Sequence, residues 1–442
     1  LKQDVCDLTG LKQNYSSSIE VIQMFVLAAV SCVCLICFAL LNVYWGQHCA
    51  RLYQTQQQQP TDSDYTPPAT VILSLRGNDP FLTRCLDGLL NQDYPQYNVK
   101  IIVDHISDPA LSFVNRYLQI HTHPHCQVSI RKHHTGACGL KNASLVQAMN
   151  ELDEAVEVVA WLDADVVPHQ SWLRELVAPL QDSKVGVTSG IRWYAPPDIN
   201  AGTMARHAWN AAAVIQMLSL KIAWGGSIAL SRPVFQNPHL KHSFSTMMWE
   251  DTGLKSIAAQ LNKDLVFVPA ATMINAESIS FPACFRFITR QLLNARLYHP
   301  QWWFIAALGI TTAIAQTMLL ILAPIFLMQG SLLWAGIATG ILVSSSLCVG
   351  AVIYRISLLI QRQIRSRGED LPRQPLITFG YLWITLYIFS AAILAAIRTN
   401  YIDWRGVSYY VPSPFKVQII HYEPYQKPHE VSAQLELENI SL

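Results

Sequence analysis

Asp163 and Asp165, one alanine apart, close a run of five apolar residues, Val158-Val159-Ala160-Trp161-Leu162. Such a run fills a strand buried on both faces, and residues two apart on a strand share a face. The spacing therefore sets two carboxylates together at the carboxyl edge of a sheet, where open α/β sheets bind ligands. Left bare, they repel one another and resist desolvation. A hard divalent cation, Mg²⁺ or Mn²⁺, carrying a diphosphate would satisfy them with oxygen ligands. Asp-X-Asp alone is a weak sign, because exposed loops produce the same triplet. The strand before it and groups elsewhere in the chain make it a strong one.

Those groups also fall at strand ends or in the loops that follow. Asp104, with Ser107 and Asp108 behind it, follows the strand Lys100-Ile101-Ile102-Val103; a carboxylate there can accept from a base or ribose, or the group can simply cap a helix. Lys141-Asn142, after Gly136 and Gly139, suits a phosphate or a uracil carbonyl, and equally a solvated helix start. Glu250-Asp251 follows the apolar Met247-Met248-Trp249. Burial there would raise a carboxyl pKa and suit it to deprotonate an alcohol, whereas the bland alternative is an acidic helix N-terminus. In Trp224-Gly225-Gly226-Ser227 the glycines remove the side-chain barrier to a sugar. Arg286, Arg290 and Arg296 form a row that either lies over a phosphate or snorkels to lipid headgroups, the second being preferred for Arg296. His121, His123, His125, His133 and His134 match no zinc spacing and read as solvated loop histidines.

The elements that must position these residues alternate. Strands are predicted at 71–75, 100–103, 127–131, 158–162, 185–191, 227–230 and 265–268. Helices are predicted over about 80–90, 110–120, 140–152, 171–180 and 204–220. This order implies a mostly parallel sheet covered on both faces, in a domain spanning 70–280. Segment 281–301 reads as a basic amphipathic helix along a membrane surface.

Composition sets the rest of the frame. Of 442 residues, 51% are hydrophobic and 14% charged, against about 25% charged in ordinary domains. A net charge of +1 argues against nucleic acid as a partner. The apolar excess is concentrated in 21–45, 302–328, 332–354 and 377–397, each long enough for a bilayer. The first lacks a basic leader and a cleavage site, so it reads as an anchor rather than a signal peptide. About four transmembrane helices result: 21–45, then three within 302–398. Residues 1–20 are a polar lead-in expected to be poorly ordered, 46–69 a glutamine-rich linker and 399–442 a tail. Arg355, Arg362, Arg365, Arg367 and Arg373 between the last two spans place that loop, and with it the catalytic domain, in the cytoplasm. The same count puts the tail on the opposite face, unless one span is interfacial. Ten cysteines form no framework, as in a reducing compartment.

In order and spacing these groups resemble a membrane-bound family 2 glycosyltransferase, most closely its ceramide glucosyltransferase branch, over roughly Thr70 to Tyr409. The carriers are Asp108-Pro109-Ala110, the patch Lys141 to Leu145 (KNASL), Asp163-Ala164-Asp165 and Glu250-Asp251. After the last span, Asp403-Trp404-Arg405-Gly406-Val407-Ser408-Tyr409 is similar to the Trp-Arg-Gly-Tyr signature that closes such chains. The resemblance implies a GT-A (Rossmann-like) nucleotide-diphospho-sugar transferase domain, inverting transfer and a divalent cation. By position, Asp104 or Asp108 would contact the nucleoside, Asp163 and Asp165 the sugar-nucleotide and metal, and Asp251 would be the base beside Glu250. The family's Gln/Arg-X-X-Arg-Trp becomes either Phe287-Ile288-Thr289-Arg290-Gln291 here, where Arg290 fits and Gln291 replaces tryptophan, or Gln291-Leu292-Leu293-Asn294-Ala295, which keeps only the glutamine.

The expected activity is transfer of a hexose, glucose from UDP-glucose, onto the hydroxyl of a lipid acceptor such as ceramide at the cytoplasmic face of a multi-pass membrane protein. One alternative is a processive polysaccharide synthase of the same family, against which stand spans nearly free of the ionisable residues a polar channel needs. The other is a non-catalytic nucleotide-sugar-binding membrane protein, against which stands the Glu250-Asp251 pair.

Overall fold

A computed structural model describes residues 2–58, 64–132, 136–369, 371 and 377–425. His133, His134, Arg373 and parts of the linker and tail lie outside the described residues. Two compact units result, Leu1–Gln47 with Trp303–Tyr354, and His48–Trp302 with Arg355–Leu442. Helix α1 (Lys2–Gln58) runs through both the polar lead-in and the first half of the glutamine-rich linker. Glutamine is a good helix former, so nothing in the run stops the helix earlier.

The second unit is built on a seven-stranded sheet of β1 (Ala69–Leu75), β2 (Tyr97–Val103), β3 (Cys126–Ile130), β4 (Val158–Leu162), β5 (Val185–Tyr194), β6 (Ser227–Ser231) and β7 (Asp264–Asn275). Their order is β3-β2-β1-β4-β6-β5-β7. Between them run α2 (Leu82–Leu90), α3 (Pro109–Ile120), α4 (Leu140–Asn150), α5 (Trp172–Val177), α6 (Ala201–Leu220), α7 (Arg232–Phe235), α8 (Pro238–Phe244) and α9 (Leu254–Gln260), and α10 (Phe281–Tyr298) follows β7. All five residues of β4 are buried, as a central strand covered on both faces requires. Beneath it, Trp172 packs fully buried and its indole N–H donates to Ser227 Oγ at 2.8 Å.

The predicted alternation holds, with one change of direction. β6 pairs antiparallel with both β4 and β5. An apolar run fixes that a strand is buried, not which way it points. The reversal matters for the site, because register sets Ser227 opposite Leu162. The residues before β6 thus meet the residues after β4. β7 also extends to Asn275, past its predicted end at 268. Pro269 lies where the β5–β7 register jumps from Ser189↔Phe267 to Ile191↔Thr272, the kind of irregularity that accommodates a proline in a sheet.

The first unit is helical, with the first part of α1 packed against α11 (Trp302–Met328) and the first part of α12 (Leu332–Arg365). Phe25 stacks on Phe326 at 5.1 Å. A Cβ at Gly46 would lie 2.3 Å from Val352 Cγ1, so a small residue there lets helices approach closely.

The remainder of the second unit is α13 (Thr378–Arg398) and a three-stranded antiparallel sheet, β8 (Tyr401–Trp404), β9 (Val407–Ser413) and β10 (Lys416–Tyr422). Trp404 pairs with Val407, leaving a two-residue turn whose Arg405 and Gly406 both have positive φ (48° and 77°). That is the turn that matches strand twist. Among the described residues, four helices are long and apolar enough to cross a membrane: those within 20–55, 302–328, 332–365 and 380–398.

Candidate active site

Strand order reverses between β1 and β4, and the crevice at their carboxyl ends is where such sheets bind ligands. Asp163 leaves β4 there, and its backbone N–H reaches Gly226 O at 3.4 Å because β6 runs the other way. From the opposite wall comes the N-terminus of α4. Gly139 N–H donates to Met247 O at 3.0 Å, and Asn142 Nδ2 donates to the same carbonyl at 3.0 Å. These bonds tie the KNASL helix to the segment leading into Glu250-Asp251. Tyr298 of α10 adds a third tie, accepting from Met248 N–H at 2.9 Å.

Lys141 is the result of this docking. Its Nζ lies 2.5 Å from Asp163 Oδ1, 2.6 Å from Glu250 Oε1 and 2.9 Å from Gly225 O. Burial opposes the ammonium, but the carboxylates of Asp163 and Glu250 outweigh it and hold the Lys141 pKa above its ordinary range. Burial likewise works against the Asp163 carboxylate, and Lys141, Arg192 and Arg405 together bring its pKa below the usual value. Glu250 goes the other way, to about 7: burial dominates, Asp251 and Asp163 add to it, and Lys141 offsets only part. The two partners differ because Lys141 has three acceptors while Glu250 has one donor and two acidic neighbours.

Asp251 is half-exposed. Its Oδ2 accepts from Gly225 N–H at 3.1 Å, and its Oδ1 accepts from Thr252 N–H at 2.6 Å and from Asn294 Nδ2 at 2.8 Å. The two glycines serve closeness: a Cβ at Gly225 would meet Glu250 Oε1 at 2.5 Å, and one at Gly226 would meet Trp224 at 2.3 Å and Asp163 Oδ2 at 2.9 Å.

Asp165 accepts from Asn275 Nδ2 at 3.1 Å through Oδ2, while its buried Oδ1 has no hydrogen-bond partner. Burial first, then Asp163 and Glu277, push its pKa up to about 7. A buried carboxylate oxygen left orphaned beside a second carboxylate fits a cation. No cluster of three or more His, Cys, Asp or Glu able to hold a metal occurs among the described residues, so the donor set suits an ion that takes one or two carboxylates and completes its shell with phosphate and water.

Two guanidiniums face this group. Arg192 lies over Trp224 (5.7 Å) and Tyr194 (4.8 Å), and Arg290 lies 5.9 Å from the Phe287 ring centroid. Arg192 Nε and Arg290 Nη1 are both buried without a hydrogen-bond partner. Burial, reinforced by Arg192, lowers the Arg290 pKa to about 10. Gln291, next on α10, is half-buried.

Asp104 sits elsewhere in the crevice and is fully engaged. It pairs with Arg76 and Arg131 and accepts from Tyr422 Oη at 3.1 Å. Asp108 caps α3 by accepting from Ala110 N–H at 2.9 Å, and it also accepts from Gly77 N–H at 3.0 Å. Arg296, read as snorkelling to lipid, instead donates to Ile397 O and Asn400 Oδ1 at 2.9 and 2.7 Å, because the carbonyls at the C-terminus of α13 lie within its reach. His121 and His125 are exposed and His123 half-buried around the start of β3.

Sequence reasoning passed over Arg76, Asp79, Arg131, Arg192 and Asn294. Arg76 had a signal: it directly follows β1, as Asp104 directly follows the parallel neighbour β2. Arg192 had none, since it lies inside a buried strand.

The model of Glycosyl transferase family 21 matches residues 27–415. A curated relative, glycosyltransferase AglE of Haloferax volcanii, is 24% identical over 140 residues, 31% of this chain and 43% of that protein; the chain thus spans less than half the length of that relative. Among solved structures, the mannosyltransferase PcManGT of Pyrobaculum calidifontis in complex with GDP-Man and Mn²⁺ is 15% identical, with 82% of this chain and 99% of that one covered and a TM-score of 0.48. Glucosyl-3-phosphoglycerate synthase of Mycobacterium tuberculosis is 14% identical, with coverage of 48% and 73% and a TM-score of 0.33. The motif resemblance pointed to family 2 with a ceramide glucosyltransferase branch, and the family model that matches carries the number 21. The chain belongs to glycosyltransferase family 21, and the α/β domain of its second unit has the GT-A fold.

Proposed function

We propose that the protein transfers glucose from UDP-glucose, with inversion, onto the hydroxyl of a lipid acceptor such as ceramide at the cytoplasmic membrane face. One observation carries the reading: Lys141 bridges Asp163 and Glu250, so the Asp-X-Asp at the end of β4 and the acidic pair ahead of α9 share one cleft. Glu250 is buried and tied to Lys141, out of reach of a bulky alcohol. Asp251 is half-exposed, and its Oδ2 accepts only from Gly225 N–H among the described donors. It takes the acceptor proton while the hydroxyl oxygen bonds to the anomeric carbon and the bond from that carbon to the diphosphate breaks. Asn294 and Thr252 hold the carboxylate in orientation. Arg192 and Arg290, each with an unpartnered N–H, supply positive charge for the leaving diphosphate. Mg²⁺ or Mn²⁺ held by Asp165 and Asp163 would neutralise diphosphate charge when bound. The basic run Arg355, Arg362, Arg365 and Arg367 supports a cytoplasmic site.

Membranes carrying the full chain, incubated with a panel of labelled UDP-sugars, should yield one labelled glycolipid from UDP-glucose together with free UDP. A long polymer, or no UDP release with lipid present, overturns the reading. Asp251→Asn should lower transfer by about 10²–10⁴-fold and leave UDP-sugar binding within a few-fold; wild-type turnover would remove Asp251 from the mechanism.

A further inference from the structure

We infer that α13 does not cross the bilayer but lies in its interface, on the side of the catalytic domain, so that the C-terminal sheet stays on that side too. By length the helix could span: 21 residues at about 1.5 Å each match the hydrocarbon thickness of about 30 Å. A crossing would carry its two ends to opposite faces of the membrane. Both flanks are bound to one domain instead. Before α13, Arg367 Nη1 donates to Ala270 O at 2.5 Å and Nη2 to Thr272 O at 2.8 Å, both in β7. After it, Arg296 of α10 caps the last turn through Ile397 O. The following sheet then closes on the carboxyl ends of β1 and β2. Arg76 Nε donates to Arg405 O at 3.0 Å, Arg405 pairs with Asp79, and Tyr422 Oη donates to Asp104.

The faces of α13 agree with this placement. Thr385, Ile388, Ala392, Ile393 and Ala396 are buried, on the side packed against α6 and α10. The opposite side keeps large apolar residues in the open: Ile384 is 48% exposed, Tyr387 39%, Leu394 44% and Ile397 37%. A helix with protein on one face and uncovered aliphatic groups on the other suits the boundary between headgroups and acyl chains. The occupant of that face is the bilayer itself. The reading is independent of which sugar or acceptor the enzyme uses.

The test uses the full chain in sealed vesicles, with one epitope appended after Leu442 and another inserted in the exposed turn between Glu154 and Ala155. Added protease should remove both epitopes together, or spare both until detergent is added. Removal of one with protection of the other places the sheet and the catalytic domain on opposite faces and overturns the proposal. Mass spectrometry of peptides shaved from untagged vesicles gives the same comparison without insertions. Peptides from 401–425 and from 140–160 should appear in the same fraction, and their appearance in different fractions overturns it.

Discussion

Lys141 is the residue on which the acidic cluster depends. With Asp163, Glu250 and the Gly225 carbonyl all on one ammonium, Lys141→Met would leave two carboxylates facing each other. Removing one partner of a largely buried pair costs on the order of 3 kcal/mol. Thermal unfolding should show a loss of that size, along with weaker UDP-sugar binding. Glu250 makes a pH-dependent prediction. Its folded pKa, about 7 against an ordinary 4.5, means that folding takes up a proton between those values. The stability it contributes is present below about 4.5 and is lost as pH rises through about 7. Glu250→Gln fixes the neutral form and keeps Lys141 paired with Asp163. The variant should melt with the wild type near pH 4.5 and above it at pH 8, by up to about 3 kcal/mol. A constant offset across that range would show that Glu250 does not titrate there.

At the scale of elements, the site is a matter of which loops are forced together. Gly139 shows how tight that fit is, since a Cβ there would lie 2.1 Å from the Met248 carbonyl oxygen. Backbone cannot yield as a flexible side chain does. Gly139→Ala should therefore push α4 off the 247–248 segment, cost about 1–3 kcal/mol and lower kcat through misplaced Lys141 and Asp251. A wild-type melting curve and rate would show that this docking is not needed. Much of this assembly was legible in the sequence. A buried strand ending in Asp-Ala-Asp, glycines ahead of β6 and an acidic pair after an apolar triplet all follow from alternation and composition. The antiparallel run of β6 was not legible, although it is what sets Gly225 and Gly226 beside Asp163. Nor was Asn294, whose amide reaches Asp251 from a helix read only for its basic and apolar faces. The C-terminal sheet escaped as well, even though Val407, Tyr409 and Val411 alternate on its middle strand and are fully buried. Following a long apolar helix, those few residues read as a tail.

Across the whole molecule, chain distant in sequence closes the crevice at the carboxyl ends of β1 and β2. Arg405 binds Asp79 and the Arg76 carbonyl, and the resulting charge balance holds the Arg405 pKa above its ordinary range despite burial, with Asp79 the largest favourable influence. Arg405→Ala leaves Asp79 buried and unpaired, at a cost of about 3–5 kcal/mol. Its melting temperature should fall, and amide exchange should rise at Arg76 and Asp104 as the sheet loosens. Exchange unchanged at those residues would show that the sheet closes the crevice without this pair.

Cys85, on α2, is fully buried with its sulfur 3.9 Å from the Asp163 carbonyl oxygen. Burial, and after it Asp165, Asp79 and Asp163, keep its thiol from ionising. Alkylating agents attack the thiolate, so iodoacetamide should pass over Cys85 in the folded protein and label it only once the sheet is unfolded. Its labelling then becomes a clock for opening of the sheet, and inhibitors that rely on a reactive warhead will find no anchor beneath Asp163 and Asp165.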